Sequence, residues 1–263
     1  MGERENNPRM PPWPMRAGVR TLNLVRHVFE WIGRHEFILL LALTVVAGAV
    51  WTFIKIADAV GAGETLDFDE WALRALRRTD DPARPIGPSW LSEMGRDLTA
   101  LGGVAVLTLF VLAVTGFLWL RRMFGAMWLV LGSTLGGLLM STLLKHWFER
   151  PRPGIVPHLS IAFTSSFPSG HSMLSATVFL TLGTLLGRFV KEFRLKAYFL
   201  VVALILTLLV GLSRVYMGVH WPTDVLAGWC AGLAWATLCW LVARALQHRG
   251  AVEPSAELSP PSH

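Results

Sequence analysis

The chain has 263 residues, 53% of them hydrophobic and 16% charged, with 12 Trp and a mean hydropathy of +0.48. Soluble domains carry about 25% charged residues, so an ordinary water-soluble globule is excluded, and the length suits one membrane-embedded helical bundle. The net charge of +6 comes from basic residues in the connections between apolar runs, which fits a positive-inside bias better than a nucleic-acid-binding surface.

Residues 1–15 are polar and Pro-rich and read as a disordered tail. Over 16–36, Val25, Val28, Phe29 and Ile32 fall at i, i+3, i+4 and i+7, with Arg20, Asn23, His27, Glu30 and Arg34 on the other face. That pattern predicts an amphipathic helix in the membrane interface. A first span is expected at about 37–57. Its apolar run exceeds the roughly 7–15-residue core of a signal peptide, so a retained helix is expected. Further spans are predicted at 98–120, 124–144, 171–190, 197–213 and 224–244. Six segments of roughly 17–23 residues match a hydrocarbon core about 30 Å thick. Cys230 and Cys239 lie in the last span; a rise of about 1.5 Å per residue puts them roughly 13 Å apart, beyond disulfide reach, so they read as packing residues.

The connection 58–97 is long. Phe68, Trp71, Ala72, Ala75 and Leu76 form an apolar helical stripe beside Arg74, Arg77 and Arg78, and the Pro-rich stretch Pro82–Pro88 ends it. A short helix on the outer leaflet is predicted, packing over the bundle mouth or gripping a lipid. The tail from Glu253 onward is Pro/Ser-rich and reads as disordered.

Charge sets the orientation. The first 36 residues hold six Arg, and Arg121, Arg122, Arg188, Lys191, Arg194, Lys196, Arg244 and Arg249 share that side if the spans alternate. The opposite connection 58–97 has five Arg against nine acidic residues. Both termini are therefore predicted to be cytoplasmic.

Three polar clusters then fall together on the outer face, each at the end of an apolar run. They are Lys145 to Pro153, Pro168-Ser169-Gly170-His171, and Ser213-Arg214 with His220 and Asp224. Ionisable residues are costly near a membrane core and by default mark function. Lys145, Arg152 and Arg214 are candidate anion-binding cations, although one such residue alone would read as a snorkelling anchor. Arg150 reads as a secondary contact. Ser169 or Gly170 falls at a helix N-cap, where free N–H groups and the helix dipole favour an anion, with His171 beside it. His220 and Asp224 are four apart, a spacing that lets a carboxylate orient an imidazole nucleophile, or that serves as a purely structural pair. There is no P-loop, GxGxxG, metal-type His/Cys spacing or internal repeat of 20–50 residues.

The run Lys-(six)-Arg-Pro, Pro-Ser-Gly-His and Ser-Arg-(five)-His-(three)-Asp, over 145–224, resembles the type 2 phosphatidic acid phosphatase (PAP2) family, which shares its core with vanadium haloperoxidases. The resemblance implies an all-α, six-transmembrane-helix bundle over 37–245, flanked by a cytoplasmic segment 1–36 and a tail 246–263, with its active site at the outer ends of the helices. It implies a lipid phosphate or diphosphate phosphatase in a bacterial inner membrane, acting on undecaprenyl diphosphate, phosphatidylglycerophosphate or phosphatidate. In that mechanism His220 becomes a phosphohistidine, Asp224 orients it, and His171 protonates the leaving oxygen and activates water. Lys145, Arg152, Ser169, Gly170 and Arg214 bind the phosphate. No metal or cofactor is implied. The expected partners are a lipid phosphate substrate and membrane lipids, not nucleic acid, and no oligomeric state follows. A lipid phosphotransferase using the same site, or a non-catalytic lipid-phosphate binding or transport protein, are the alternatives. The short Lys-to-Arg spacing and the six spans argue against a haloperoxidase.

Overall fold

In the computed structural model, residues 14–160 and 164–248 are described, with side chains over 36–160 and 164–247. The secondary structure described is helical apart from one isolated bridge, Arg77 to Pro85. The helices are α1 (Pro14–Gly61), α2 (Leu66–Ala75), α3 (Ser89–Ala100), α4 (Val104–Leu120), α5 (Phe124–Phe148), α6 (Gly170–Arg188), α7 (Phe193–Tyr216) and α8 (Pro222–His248). The chain divides into two units after Leu43, and every candidate site residue lies in the second. The side chains of the expected interfacial face of 16–36 and residues 1–13 and 249–263 of the expected tails lie outside what is described, whereas the tail expected from 246 is helical as far as His248, within α8.

Among the described residues, five helices are long and apolar enough to cross a membrane, and a sixth span is reached if α3 and α4 count as one. The second span expected at 98–120 is in fact this bent pair, with a 49° break before Val104. Gly102 and Gly103 sit at the break, a recognised cause of kinks. The other expected spans fall on helices whose ends differ by a few residues, α6 stopping at Arg188 rather than 190, except that α1 begins well before 37. α5 continues one turn past Lys145, so that residue lies within the last turn of the helix.

α6 is the hub, packed on by α5, α7 and α8. Apolar packing alone gives little reason for helices to associate in lipid, so close approach through small residues matters. α6 supplies buried Ser172, Ser175, Ala176 and Thr177. α8 answers with Gly228 and Gly232, a GxxxG pair. A Cβ on Gly228 would stand 2.6 Å from the Ser169 carbonyl oxygen, and one on Gly232 2.5 Å from that of Met173. This contact brings the start of α8 against the start of α6.

The loop helix α2 turns a different face inward from the one its apolar stripe suggests. Asp69 and Leu73 are fully buried, whereas Phe68 and Trp71 are 48% and 66% exposed. The reason is chemical. Asp69 finds Arg150 and Thr223 inside, so its burial is compensated, while aromatic rings can be left facing lipid or headgroups at little cost. The rest of the connection forms α3, a helix that the Pro-rich stretch gave no reason to expect.

Gly232→Leu should force α8 off α6, since overpacking typically costs about 1–3 kcal/mol. The expected outcome is a lower unfolding temperature in detergent together with lost activity. An unchanged unfolding temperature would show that the close approach does not hold the bundle.

Candidate active site

Four helix ends meet at one end of the bundle: the C-termini of α5 and α7 and the N-termini of α6 and α8. The Ser169 N–H donates to the Asp224 carbonyl at 2.9 Å, and the Val219 N–H donates to the Arg214 carbonyl at 3.3 Å. The α5 helix ends at Glu149, whose left-handed φ of 42° turns the chain into the loop carrying Arg150 and Arg152. That loop is tied to the α6 side by the Ser166 N–H, which donates to the Arg150 carbonyl at 2.8 Å.

His220 is buried, 1% exposed, in the turn between α7 and α8. Its Nε2 stands 3.1 Å from Arg152 Nη1, and its Nδ1 stands 3.4 Å from Asp224 Oδ2. A guanidinium has no acceptor, so Nε2 must carry the lone pair and Nδ1 the proton. The proton faces the carboxylate and the lone pair faces the cationic side, the tautomer an Nε2 nucleophile needs. Burial pushes the His220 pKa down to about 3 against the opposing pull of Asp224, which keeps the ring neutral at physiological pH.

Asp224, in the first turn of α8, is fully buried and fully engaged. Oδ2 accepts from Ser166 Oγ and, at 3.0 Å, from the Trp221 N–H, besides facing Nδ1 of His220. Oδ1 accepts from Arg150 Nη1 at 2.6 Å. A carboxylate at a helix N-terminus is also favoured by the dipole.

The cations surround the lone-pair side. Lys145 Nζ donates to the Ser165 carbonyl at 2.8 Å and to Thr164 Oγ1 at 3.1 Å. Arg152 donates to the Thr164 carbonyl at 2.8 Å and the Val219 carbonyl at 2.7 Å, so both residues converge on Thr164. Burial lowers the pKa of Arg152 from the usual arginine value. Arg214 is 2% exposed; its Nη1 donates to Thr99 Oγ1 at 3.1 Å, and its Nε has no partner among the described residues. A buried guanidinium N–H without an acceptor is a natural anion ligand.

Ser169 is the N-cap of α6, with its Oγ accepting from Ser172. Its own N–H is committed to Asp224, which leaves Gly170 and His171 as the first-turn donors without helical partners. A Cβ on Gly170 would lie 3.2 Å from Lys145 Cε, so a side chain there would crowd the lysine. His171 lies against the Gly102–Gly103 break, within electrostatic reach of Arg214, His220, Lys145 and Arg152. A cavity of about 610 Å³ opens onto Lys145 and Arg152 and is also lined by Thr142, His146, Glu149, Arg150, Pro151, Thr164 and Ser165. His220 lies behind Arg152. Among the described residues, no group of three His, Cys, Asp or Glu side chains is placed to hold a metal ion.

Two parts of the site were not legible in the sequence. Arg150, read as a secondary phosphate contact, instead bridges two buried carboxylates, Asp224 and Asp69. Ser166 and Thr164 had no signal beyond their nearness to Pro168-Ser169-Gly170-His171.

The PAP2 superfamily model matches residues 125–247, which contain all three polar clusters. Phosphatidylglycerophosphatase B of Bacillus subtilis is 37% identical over 187 residues, covering 69% of this chain and 86% of that protein. The chain belongs to the PAP2 superfamily. It is a phosphatase and a multi-pass membrane protein of that superfamily. The crystal structure of the transmembrane PAP2 type phosphatidylglycerolphosphate phosphatase from Bacillus subtilis superposes with a TM-score of 0.66 at 28% identity, over 78% of this chain and 96% of that one. Lipid A 1-phosphatase of Rhizobium etli is 29% identical over 181 residues, 59% of this chain and 73% of that protein.

Two measurements test the site of this PAP2 phosphatase. With its pKa lowered, His220 should stay neutral from pH 8 down to about pH 4.5 in ¹⁵N-histidine spectra, and a midpoint near 6.5 would contradict the burial argument. Ser166→Ala removes a hydrogen bond to a charged group, worth about 1.5–3 kcal/mol, so turnover should fall roughly 10- to 100-fold in steady-state assays.

Proposed function

We propose that the protein hydrolyses the terminal phosphate of a membrane lipid through a phosphohistidine on His220, with phosphatidylglycerophosphate as the favoured substrate. The observation that carries this reading is the polarised His220 ring, with Nδ1 toward Asp224 and the Nε2 lone pair toward Arg152, which itself lines the cavity with Lys145. The choice of lipid leans on the Bacillus subtilis relative, matched over most of its length. Undecaprenyl diphosphate and phosphatidate are the competing substrates.

In the first half-reaction Nε2 attacks phosphorus, the N–P bond forms, and the P–O bond to the lipid breaks. His171 gives its proton to the leaving lipid oxygen. Asp224 faces the Nδ1 proton and stabilises the positive charge that develops on the ring. Lys145, Arg152, Arg214 and the Ser169–Gly170 start of α6 hold the non-bridging oxygens, where electrostatic stabilisation contributes most in phosphoryl transfer. In the second half-reaction His171 takes a proton from water, water attacks phosphorus, the N–P bond breaks and inorganic phosphate leaves. His220 returns neutral. No step calls for a metal.

The charge bias of the connections supports both termini on the cytoplasmic side of a bacterial inner membrane, and a site on the outer face of a six-span domain over 37–245. The site then meets lipids of the outer leaflet.

Purified protein in detergent with a chelator should release phosphate from phosphatidylglycerophosphate faster than from undecaprenyl diphosphate or phosphatidate. His220→Ala should lose at least about 10³-fold in kcat, and rapid quenching should trap an acid-labile, alkali-stable phosphoenzyme only in the parent protein. Near-normal turnover by the variant would sink the mechanism, and absence of turnover without divalent metal would sink the metal-free chemistry.

A further inference from the structure

Behind the nucleophile lies a buried charge chain that runs into the first connection. Arg150 places Nη1 on Asp224 Oδ1 at 2.6 Å and Nη2 on Asp69 Oδ2 at 2.8 Å. Asp69, in α2, is fully buried. Its Oδ1 accepts from the Thr223 N–H at 3.0 Å and its Oδ2 from Thr223 Oγ1 at 2.6 Å, across 154 residues of sequence. Arg150 is further held by Thr65 Oγ1 at 3.3 Å and lies over the Trp221 ring at 5.4 Å. Every polar end of the two carboxylates is therefore directed.

The charges in this chain do not cancel at rest. Two carboxylates face one guanidinium, and His220 is neutral, so the buried group carries one excess negative charge. A buried charge is expensive unless something answers it. When Nε2 bonds to phosphorus, the ring keeps its Nδ1 proton and becomes cationic. The chain His220–Asp224–Arg150–Asp69 is then neutral. Without Asp69, Arg150 would already have neutralised Asp224 and left the developing imidazolium without a net counter-charge. At rest Lys145 and Arg152, within electrostatic reach of Asp224, offset this charge from the other side; bound phosphate then answers those cations, and the excess on the two carboxylates is left for the imidazolium.

We propose that Asp69 is a positioning residue for this PAP2 reaction: by sharing Arg150 with Asp224, it leaves the orienting carboxylate with negative charge to spend on the phosphohistidine. The inference rests on His220 being the nucleophile. It makes α2 a functional part of the site rather than a cover over the bundle mouth. Arg150 acts in the same sense, as the bridge through which Asp69 is felt.

The decisive variant is Asp69→Asn, which keeps the shape and removes the charge. It leaves a neutral Asp224–Arg150 pair but sets an amide NH2 against a donor at one of the two former oxygens, so some loss of unfolding temperature in detergent is expected and the folded protein's chemistry is the readout. Its kcat per active site, counted by burst amplitude, should fall roughly 10- to 100-fold, the size of one lost charged hydrogen bond in the transition state. KM and the inhibition constant of inorganic phosphate, which probe the cradle, should stay within about threefold. Asp69→Glu should recover part of the loss. In Arg150→Gln protein, adding Asp69→Asn should cost little more, because the two residues act as one unit.

Vanadate gives a readout that needs no lipid, since it adds to an imidazole nitrogen as a five-coordinate mimic of the transition state. Its dissociation constant should rise about tenfold in Asp69→Asn, following the loss in transition-state stabilisation. A purely structural Asp69 predicts a lower unfolding temperature alone, with kcat per site and vanadate affinity unchanged. That outcome overturns the proposal, as does a rise in KM at constant kcat. If the parent protein turns over no lipid phosphate, the proposed function fails, while the vanadate comparison still decides for or against Asp69.

Discussion

A carboxylate with no solvent exposure stands at the first turn of α8, and the active end of the bundle is arranged to satisfy it. Leaving such a group unpaired would cost several kcal/mol. Asp224 therefore draws in an arginine from the loop after α5, a serine from the loop before α6, a backbone N–H from Trp221 and the imidazole of His220. Its main-chain carbonyl also accepts the Ser169 N–H at the α6 cap. Three separate polar clusters of the sequence are thus tied to one residue. The orientation of His220 follows from that arrangement, because only Nδ1 can face the carboxylate and only Nε2 is left for chemistry.

The fold makes this possible by letting α6 and α8 approach until backbone meets glycine. Gly228 and Gly232 lie against the carbonyls of Ser169 and Met173, and the hub helix buries Ser, Ala and Thr where larger residues would separate the starts. Precision at the site is inherited from helix packing rather than from the loops. The cations come from helix ends and one loop, Lys145 from the last turn of α5, Arg214 from that of α7 and Arg152 from the loop after α5, and the side chains of Lys145 and Arg152 are held by Thr164, Ser165 and Val219.

Lys145, Arg152, Ser169, Gly170, His171, Arg214, His220 and Asp224 were legible in the sequence because each stands where a hydrophobic run stops, and polarity at such a place is conspicuous. The long apolar helices followed from the same hydropathy, whereas α3 and its break before α4 did not. Asp69 was hidden for the opposite reason. It sits in a connection with nine acidic residues, where one more carboxylate carries no signal, and the apolar stripe of Phe68 and Trp71 pointed the helix the other way. Its burial depends on Thr223 and Arg150, partners that no local pattern identifies. Arg150 was ambiguous because proline follows it as it follows Arg152; only three-dimensional contact separates the arginine that faces carboxylates from the one that faces the lone pair.

The contact between Arg152 Nη1 and His220 Nε2 has a chemical meaning beyond tautomer choice. In the proposed mechanism it covers the very lone pair that must attack phosphorus. A guanidinium leaves an imidazole readily only for a better acceptor, and phosphate oxygen is one. An incoming anion therefore unmasks the nucleophile by the same act that anchors it. Uncharged electrophiles of similar size offer Arg152 nothing to exchange, so they meet a ring already occupied. On that mechanism the resting site is self-protected, and selection of a phosphorylated lipid would begin before any P–O bond is stretched.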